Sequence, residues 1–394
     1  MTVDESITPE PILQLGLGFM ASKTLLSAVE LEIFTVLARG GRDRASLAAE
    51  VGLHPRSSAD FLDALVSLGL LDRDDDGVYR NSPASEVFLD QAKPSYIGGI
   101  LEMANTRLFG FWDNLTDALR TGTQQNEVTH TGAPFFATLS QDPVAWRNFL
   151  NGMNGVSTPL AGALAADFDW TGRRHVVDLG GALGAVPAAV LRSHPEMTGT
   201  VFELPPVRPV FDEFAAAHGL TDRLSFHSGD FFSDPLPPAD VYVMGQILHD
   251  WNAEQRQFLL RKAHDALPVG GTLIVYDAMI DDDRRHNTYG FMVSLNMLID
   301  TEGGSEYTVA DATRWLAAAG FSTTEARPLI GGYTAVYATK WPVGDRQLTG
   351  ALQPPPVAMC KAPRCRSRSA AALGTSRTPS DPRPPWGGAA RGRP

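Results

Sequence analysis

The sequence predicts an α/β protein built on a doubly wound, mostly parallel sheet, with a smaller helical domain in front of it. Short apolar runs alternate with helical patterns between residues 173 and 340, as expected of strand–helix–strand units. A buried strand at residues 175–178 leads into three glycines within residues 179–184, and a helical pattern starts directly afterwards. This order of strand, glycine turn and helix start is typical of a nucleotide-binding loop.

The first hundred residues predict a winged-helix outline. Apolar side chains at helical spacing over residues 11–40 predict two helices that bury most of their surface. Two more helices are expected at residues 46–53 and 57–70, and a hairpin at residues 71–80 contains an Asp-Gly turn. We therefore assign residues 1–100 to a small helical domain.

A winged helix either binds DNA or serves as a packing or dimerisation module. We expect the second helix to start with a capping box of Ser57 and Asp60. The same helix carries Asp63, and three aspartates form the tip of the hairpin at residues 74–76. Carboxylates at both places would repel DNA phosphates, so the pattern favours a packing or dimerisation module without a nucleic-acid partner.

A helical connector is predicted at residues 101–170, and the α/β domain follows at residues 171–341. The connector is rich in large apolar side chains and stands between the two domains, so part of it should line a pocket. The clearest helices of the α/β domain are expected at residues 253–267, after a capping box of Asn252 and Gln255, and at residues 309–319. Strands are predicted at residues 175–178, 200–203, 224–227, 240–244 and 271–276, with a terminal antiparallel hairpin at residues 321–340.

The composition changes abruptly after Lys340. Residues 342–394 hold 10 of the 28 prolines, nine of the 33 Lys and Arg, and two of the 45 Asp and Glu, which predicts a disordered tail. The rest of the chain has 24 Lys and Arg against 43 Asp and Glu, a net charge of −19, which also disfavours nucleic acid. Both cysteines, Cys360 and Cys365, lie in the tail, so no disulfide framework or thiolate metal site is expected elsewhere. No signal sequence or apolar run of transmembrane length is evident, and we expect a cytoplasmic protein without membrane contact.

The glycine loop favours a positively charged ligand over a phosphate. It follows Asp178 and offers Gly180, Gly181 and Gly184, but it matches neither the P-loop nor the dinucleotide-binding pattern. A carboxylate at the entrance of the loop would repel pyrophosphate. It would suit a sulfonium compound with an α-amino group.

The carboxyl ends of the other strands carry residues that match an adenosyl ligand. Glu203 can accept hydrogen bonds from both hydroxyls of a ribose. Asp230 can accept from an exocyclic amine, and Phe231 can stack on an adenine ring. His249 follows the fourth strand and Asp277 ends the fifth, so both should lie at the same edge of the sheet.

At these positions the sequence resembles class I S-adenosylmethionine-dependent methyltransferases, specifically the small-molecule O-methyltransferases that include caffeate, acetylserotonin and bacterial natural-product enzymes. The resemblance covers about residues 11–340 and depends on the segments DLGGALG, FELPP, GDFF, LHDW, ALPVGGTLIVYDAMI and GGSEYT, in this order. It implies the class I methyltransferase fold and S-adenosyl-L-methionine as cofactor, with S-adenosyl-L-homocysteine as product and no metal. It also implies a homodimer formed through the N-terminal domain.

The resemblance implies residue roles as well. His249 is expected to be the general base, with Asp277 and Glu306 flanking and orienting it. The expected cofactor-binding residues are Asp178, Gly180, Gly181, Gly184, Glu203, Leu204, Gly229, Asp230, Phe231, Gly245 and Gln246. The expected substrate-pocket residues are Trp112, Met153, Asn154, Asn296 and Met297.

The sequence departs from the family pattern at three positions. Ala182 stands where a third consecutive glycine is usual, and Asp277 stands where a glutamate is common. Gly245 occupies a position that is commonly lysine, so the contact of that lysine is either missing or supplied by another residue.

The expected substrate is a small planar phenol or hydroxylated aromatic. A phenol with a pKa near 10 is mostly protonated at neutral pH, so a neutral histidine that accepts its proton would speed methyl transfer. An amine acceptor, or a carboxylate that needs no base, remains an alternative on the same scaffold. An alternative of another class is a regulator that senses the cofactor and binds DNA through the winged helix.

Overall fold

The computed structural model describes residues 8–129, 131–133 and 135–342, so the predicted tail lies outside the described residues except for Pro342. The chain begins with three short helices, α1 (Glu10–Gly16), α2 (Gly18–Glu30) and α3 (Ile33–Ala38). The prediction of two largely buried helices over residues 11–40 is therefore wrong. No residue of α1 is buried by the described part of the chain, whereas α3 packs into the core of the N-terminal domain.

The next elements form the expected helix–helix–hairpin unit. They are β1 (Arg42–Asp43), α4 (Arg44–Val51), α5 (Pro55–Ser67), β2 (Leu71–Arg73) and β3 (Val78–Asn81). The three strands pair antiparallel in the order β1-β3-β2. The capping box predicted from Ser57 and Asp60 is wrong: α5 starts two residues earlier at Pro55, whose fixed φ suits a first helical position, and the His54 ring accepts from the Arg56 N–H.

The connector is helical, as predicted. Helix α6 (Pro83–Phe88) precedes it, and α7 (Gly98–Met103) crosses its first boundary. The connector then contains a π-helical turn (Ala104–Leu108), α8 (Phe109–Trp112), α9 (Leu115–Thr121), α10 (Phe135–Leu139) and α11 (Pro143–Asp167). The long helix α11 packs against both α7 and the α/β domain, so it joins the two parts of the chain.

The α/β domain contains a seven-stranded sheet. Its strands are β4 (His175–Leu179), β5 (Thr198–Glu203), β6 (Leu224–Ser228), β7 (Val241–Gly245), β8 (Thr272–Asp277), β9 (Thr323–Pro328) and β10 (Thr334–Thr339). They lie in the order β6-β5-β4-β7-β8-β10-β9, in which β10 runs antiparallel to both of its neighbours. The doubly wound, mostly parallel sheet and the terminal hairpin are confirmed.

Helices cover both faces of this sheet. The helices that follow the strands are α12 (Ala185–Ser193), α13 (Arg208–Ala217), α14 (Ala253–Ala266), α15 (Thr288–Asp300) and α16 (Val309–Ala319). One apolar core lies between the sheet and α11, α12 and α13, and a second lies between the sheet and α14 and α16. Because β4, β5, β6, β7 and β8 are parallel, their carboxyl ends meet at one edge.

One stretch of the described residues, Glu10–Glu30, is long and apolar enough to cross a membrane when judged by length and composition alone, so the expectation that no apolar run reaches transmembrane length is wrong. It consists of α1 and α2. The large apolar side chains of its first half are exposed, for example Leu15 at 85% and Phe19 at 53%, whereas Leu26 and Val29 near its end are buried. An exposed apolar face of this size marks a contact surface.

Candidate active site

The glycine loop after β4 leaves no room for side chains. Gly180, Ala182 and Gly184 have positive φ angles of 75°, 46° and 86°, so the chain turns through the left-handed region three times. A Cβ atom at Gly181 would lie 2.4 Å from the carboxylate of Asp178. A Cβ atom at Gly184 would lie 2.6 Å from a methyl group of Val201. The loop is therefore a backbone-lined cradle at the carboxyl edge of the sheet.

Two carboxylates border this cradle. Glu203 holds the loop, because its Oε2 accepts from the Ala182 N–H at 3.3 Å and its Oε1 accepts from the Leu204 N–H at 2.8 Å. Burial and the charge of Glu203 raise the pKa of Asp178 to about 8, and burial also raises the pKa of Glu203. A bound positive charge would offset the cost of ionising both groups, so the residues present fit a cationic ligand.

The predicted adenine-binding residues lie next to the loop. The ring of Phe231 reaches Gly180, where a Cβ atom would be 3.4 Å from it, and it packs edge-on against Trp251 at 6.0 Å. Asp230 is half-buried, and its Oδ1 accepts from the Phe232 N–H at 2.8 Å. Gly229 is buried against the ring of Phe202, which leaves no space for a side chain. The turn after β6 thus presents an aromatic face and a carboxylate beside the cradle.

The space beside Gly245 is filled by a tyrosine. A Cβ atom on Gly245 would lie 2.0–2.3 Å from the ring and hydroxyl of Tyr276, its register partner on β8. A side chain at position 245 would therefore require the Tyr276 ring to move. The next residue, Gln246, has φ +57° and donates through Nε2 to Ser157 of α11 at 3.2 Å. Backbone strain of this kind is common at functional sites.

The structure brings His249, Asp277 and Glu306 together although they are far apart in sequence. His249 lies on a 3₁₀ turn (Leu248–Asp250) and is only 7% exposed. Its Nδ1 lies 2.7 Å from Glu306 Oε1 and 3.5 Å from Asp277 Oδ1. The other ring nitrogen, Nε2, lies 3.5 Å from Asp250 Oδ1. The hydrogen bond to Glu306 thus orients the ring, and Nε2 makes no hydrogen bond with any residue that the structure describes.

The carboxylates around His249 favour its protonated form. Burial lowers the pKa of His249, but the charges of Asp277, Glu306 and Asp250 outweigh burial and raise the pKa above its usual value. Burial raises the pKa of Asp277, whose Oδ2 accepts from the Tyr307 hydroxyl. Among the described residues, neither Asp277 Oδ1 nor Glu306 Oε2 has a hydrogen-bond partner, so both are available to stabilise positive charge.

The same three groups meet the spacing of a metal site, because their ligand atoms lie within 4.8 Å of one another. However, the ring nitrogen that faces both carboxylates is Nδ1, and its 2.7 Å separation from Glu306 is that of a hydrogen bond. This arrangement matches a histidine held in one tautomer by a carboxylate.

The predicted substrate residues come from three helices. Trp112 of α8 donates through Nε1 to Asn296 Oδ1 of α15 at 3.0 Å, so these two residues meet directly. Met153 and Asn154 lie on α11, and Met297 is buried on α15. The Oδ1 atom of Asn154 is buried without a hydrogen-bond partner among the described residues. The tryptophan–asparagine hydrogen bond therefore ties α8 of the connector to α15.

Sequence reasoning missed several residues of this site. Asp250 and Tyr307 are direct neighbours of His249 and Glu306 in the chain, so their adjacency was an available signal. Tyr276 and Arg256 gave no such signal, because both resemble ordinary residues of a strand and a helix. Their positions depend on how β8 and α14 pack.

A sheet of this order, with a glycine cradle after its first parallel strand and acidic residues at the next strand ends, defines a class I methyltransferase fold. The chain belongs to the O-methyltransferase family: residues 112–322 match the O-methyltransferase domain and residues 13–91 match the O-methyltransferase dimerisation domain. It is thus an S-adenosylmethionine-dependent O-methyltransferase, as the resemblance implied.

Curated relatives and solved structures agree with this assignment. The chain is 45% identical to the tetracenomycin polyketide synthesis 8-O-methyl transferase TcmO of Streptomyces glaucescens, over 84% of this chain and 97% of that protein. It is 36% identical to the 3-hydroxy-5-methyl-1-naphthoate 3-O-methyltransferase of Streptomyces sahachiroi, over 80% and 90% of the two chains. Human N-acetylserotonin methyltransferase in complex with SAM has a TM-score of 0.78 at 30% identity, covering 86% of this chain and all of that chain. PigF with SAH has a TM-score of 0.77 at 27% identity, covering 85% of this chain and all of that chain.

Proposed function

We propose that this protein methylates a hydroxyl group of a small, polyketide-like aromatic compound, with His249 as the general base. The observation that carries the proposal is the buried His249–Glu306 pair at the sheet edge that also carries the glycine cradle. The relatives TcmO and the naphthoate 3-O-methyltransferase support the acceptor class, since the first is named for O-methylation in polyketide synthesis and the second for O-methylation of a hydroxynaphthoate.

S-adenosylmethionine supplies a methyl group on a positively charged sulfur and leaves as a neutral thioether. The chain's own task is to align the acceptor oxygen and remove its proton. Alignment alone supplies several kcal/mol, up to about 7–11 in favourable cases. We infer that Asp178, Glu203, Asp230 and Phe231 hold the donor, and that Trp112, Met153 and Met297 line the acceptor side. Because His249 is proposed to remove the acceptor's proton, no Lewis acid is needed on the acceptor oxygen, and we propose that no metal takes part.

The proton moves from the acceptor oxygen to His249 Nε2. Glu306 accepts the hydrogen bond from Nδ1–H, which fixes the tautomer and stabilises the imidazolium that forms. Asp277 Oδ1 adds negative charge at 3.5 Å from Nδ1. General-base catalysis of this kind contributes typically about 10²–10⁴-fold to the rate.

We expect methyl transfer from S-adenosylmethionine to hydroxylated aromatics of one to four fused rings, read by mass spectrometry as one added methyl group. Matched amines and carboxylic acids of the same ring systems serve as controls for the type of acceptor. The N,N-dimethyltransferase OxyT of Streptomyces rimosus is 38% identical over 68% of this chain, so the amine series tests a documented alternative. Transfer to amines with none to hydroxyls would refute the proposal.

We further propose that the protein is a homodimer in which a second copy covers α1 and α2. The domain boundaries 1–100, 101–170 and 171–341 remain proposals as well. Coverage by a partner copy accounts for the exposed apolar face of Glu10–Glu30 without a membrane, which agrees with a cytoplasmic enzyme.

Aspartate at both Leu15 and Phe19 should convert the dimer to a monomer, because charges would then be buried at the interface. Light scattering coupled to gel filtration measures the mass. Val269→Asp is the control, since Val269 is equally apolar and 62% exposed but lies in the turn before β8. A wild-type protein with the mass of one chain would contradict this proposal.

A further inference from the structure

We propose that Arg256 of α14 is a positioning residue, which clamps together the two segments that carry His249 and Glu306 and places a fixed positive charge behind their carboxylates. The inference rests on the proposed role of His249 as the base. Among the described residues, Arg256 contacts Leu248, Ser305, Tyr307 and Trp315, none of which belongs to the glycine cradle or to the expected substrate-pocket residues.

Arg256 bridges the two backbone segments that carry His249 and Glu306. Its Nε donates to the Leu248 carbonyl at 2.7 Å, one residue before His249. One terminal nitrogen donates to the Ser305 carbonyl at 2.5 Å, one residue before Glu306. A single guanidinium thus ties the 3₁₀ turn to the loop after α15. The Ser305 N–H also donates to the His249 carbonyl at 2.8 Å, so the two segments are joined directly as well as through Arg256.

The guanidinium is fixed by packing as well as by hydrogen bonds. Arg256 is only 4% exposed, and its guanidinium lies 5.1 Å from the ring of Tyr307 and 5.2 Å from the ring of Trp315. Rings on a buried guanidinium stabilise its charge and restrict its orientation. Lysine has neither the several N–H donors held in one plane nor the planar surface that these contacts require.

The charge of Arg256 also acts on the catalytic cluster. Burial lowers the pKa of the guanidinium, and the carboxylates of the cluster act against that effect. An arginine nevertheless stays charged in proteins. The titratable and charged groups around His249 are Asp250 on its own turn, Asp277 on β8, Glu306 and Tyr307 on the following loop, Asp300 on α15, Tyr333 before β10, and Arg256 on α14.

The sign of the effect follows from this arrangement. The active form needs a neutral His249 together with ionised carboxylates, which is the least protonated state of the cluster. Removing a fixed positive charge makes the whole cluster bind protons more tightly. The rise of kcat/KM on the acid side of the pH profile, here called the acid limb, should therefore move to higher pH when Arg256 is replaced by an uncharged residue.

We expect Arg256→Met to move this limb upward by about one pH unit and to lower kcat on its plateau. Arg256→Lys should leave the limb near its wild-type position, because the charge stays, yet lower the plateau kcat, because the planar set of N–H donors is lost. Arg223→Met is the matched control, since Arg223 also binds backbone carbonyls, those of Leu191 and Pro195, at the opposite edge of the sheet. It should lower the thermal midpoint without moving the limb.

A direct titration of His249 separates this inference from the proposed function. Carbon-13-labelled histidine gives the ring's pKa by NMR without any methyl acceptor, and His249→Ala assigns its signal. If Arg256→Met does not fold, Arg256→Lys decides through its plateau kcat. An unmoved His249 titration in Arg256→Met, or an unchanged plateau kcat in Arg256→Lys, would overturn the assignment. Absence of methyl transfer in the wild type would refute the proposed function and leave the titration result standing.

Discussion

His249→Ala should lose most of its turnover on a phenolic acceptor, by about 10²–10⁴-fold, and should still bind S-adenosylhomocysteine. The loss is expected because Nε2 is the group proposed to accept the acceptor's proton, whereas the glycine cradle and Glu203 lie on other strand ends. Steady-state rates with a phenol measure the first effect, and calorimetry with S-adenosylhomocysteine measures the second.

The pH profile of the wild type should show the titration of His249. His249 acts only when it is neutral, and the surrounding carboxylates raise its pKa above the usual value, so activity should rise with pH through a limb above about 6.5. His249→Ala should lack this limb, and added imidazole should restore part of the rate if it enters the space left by the ring.

His194→Ala provides the control for loss of a histidine ring. His194 follows α12 at the opposite edge of the sheet and is partly exposed, so its removal should leave the rate and the pH profile unchanged. Full activity of His249→Ala at neutral pH would refute the general-base role and would point to an acceptor that needs no base.

The local parts of this architecture were predictable from the sequence. Strand β4 and the glycine turn are specified within ten residues, because only glycines at positions 180, 181 and 184 fit the space that the turn leaves. Helix α16 was equally clear, since Thr308 and Gly320 mark its ends and both act as caps in the structure. In each case, near neighbours in the chain determine the outcome.

Other features depend on contacts that no local pattern encodes. Tyr276 fills the space beside Gly245 because β7 and β8 pair in one register, which the sequence does not display. Arg256 was placed on a helix correctly, but its two carbonyl partners come from segments that only the folded chain brings together. The apolar pattern of α1 predicts burial, but helical spacing alone does not say which surface buries it, and α1 is exposed in the structure.

Glu306→Gln should lower kcat by about 10²–10⁴-fold while the acceptor and S-adenosylhomocysteine still bind. Glutamine keeps the volume of the side chain but removes the charge that faces Nδ1 at 2.7 Å. The imidazolium that forms during proton transfer then loses its nearest counter-charge. An amide can also donate to Nδ1 and so hold the ring in the tautomer that places its proton on Nε2.

Glu306→Gln should shift the pH profile in the direction opposite to the shift expected for Arg256→Met. Removing a negative charge beside His249 lowers its pKa, so the acid limb of the residual kcat/KM should move to lower pH. Glu302→Gln is the matched control, because Glu302 is an exposed residue of the same loop and should change neither the rate nor the limb. A limb that stays in place in Glu306→Gln, or a kcat equal to that of Glu302→Gln, would show that Glu306 does not set the tautomer or the charge of the base.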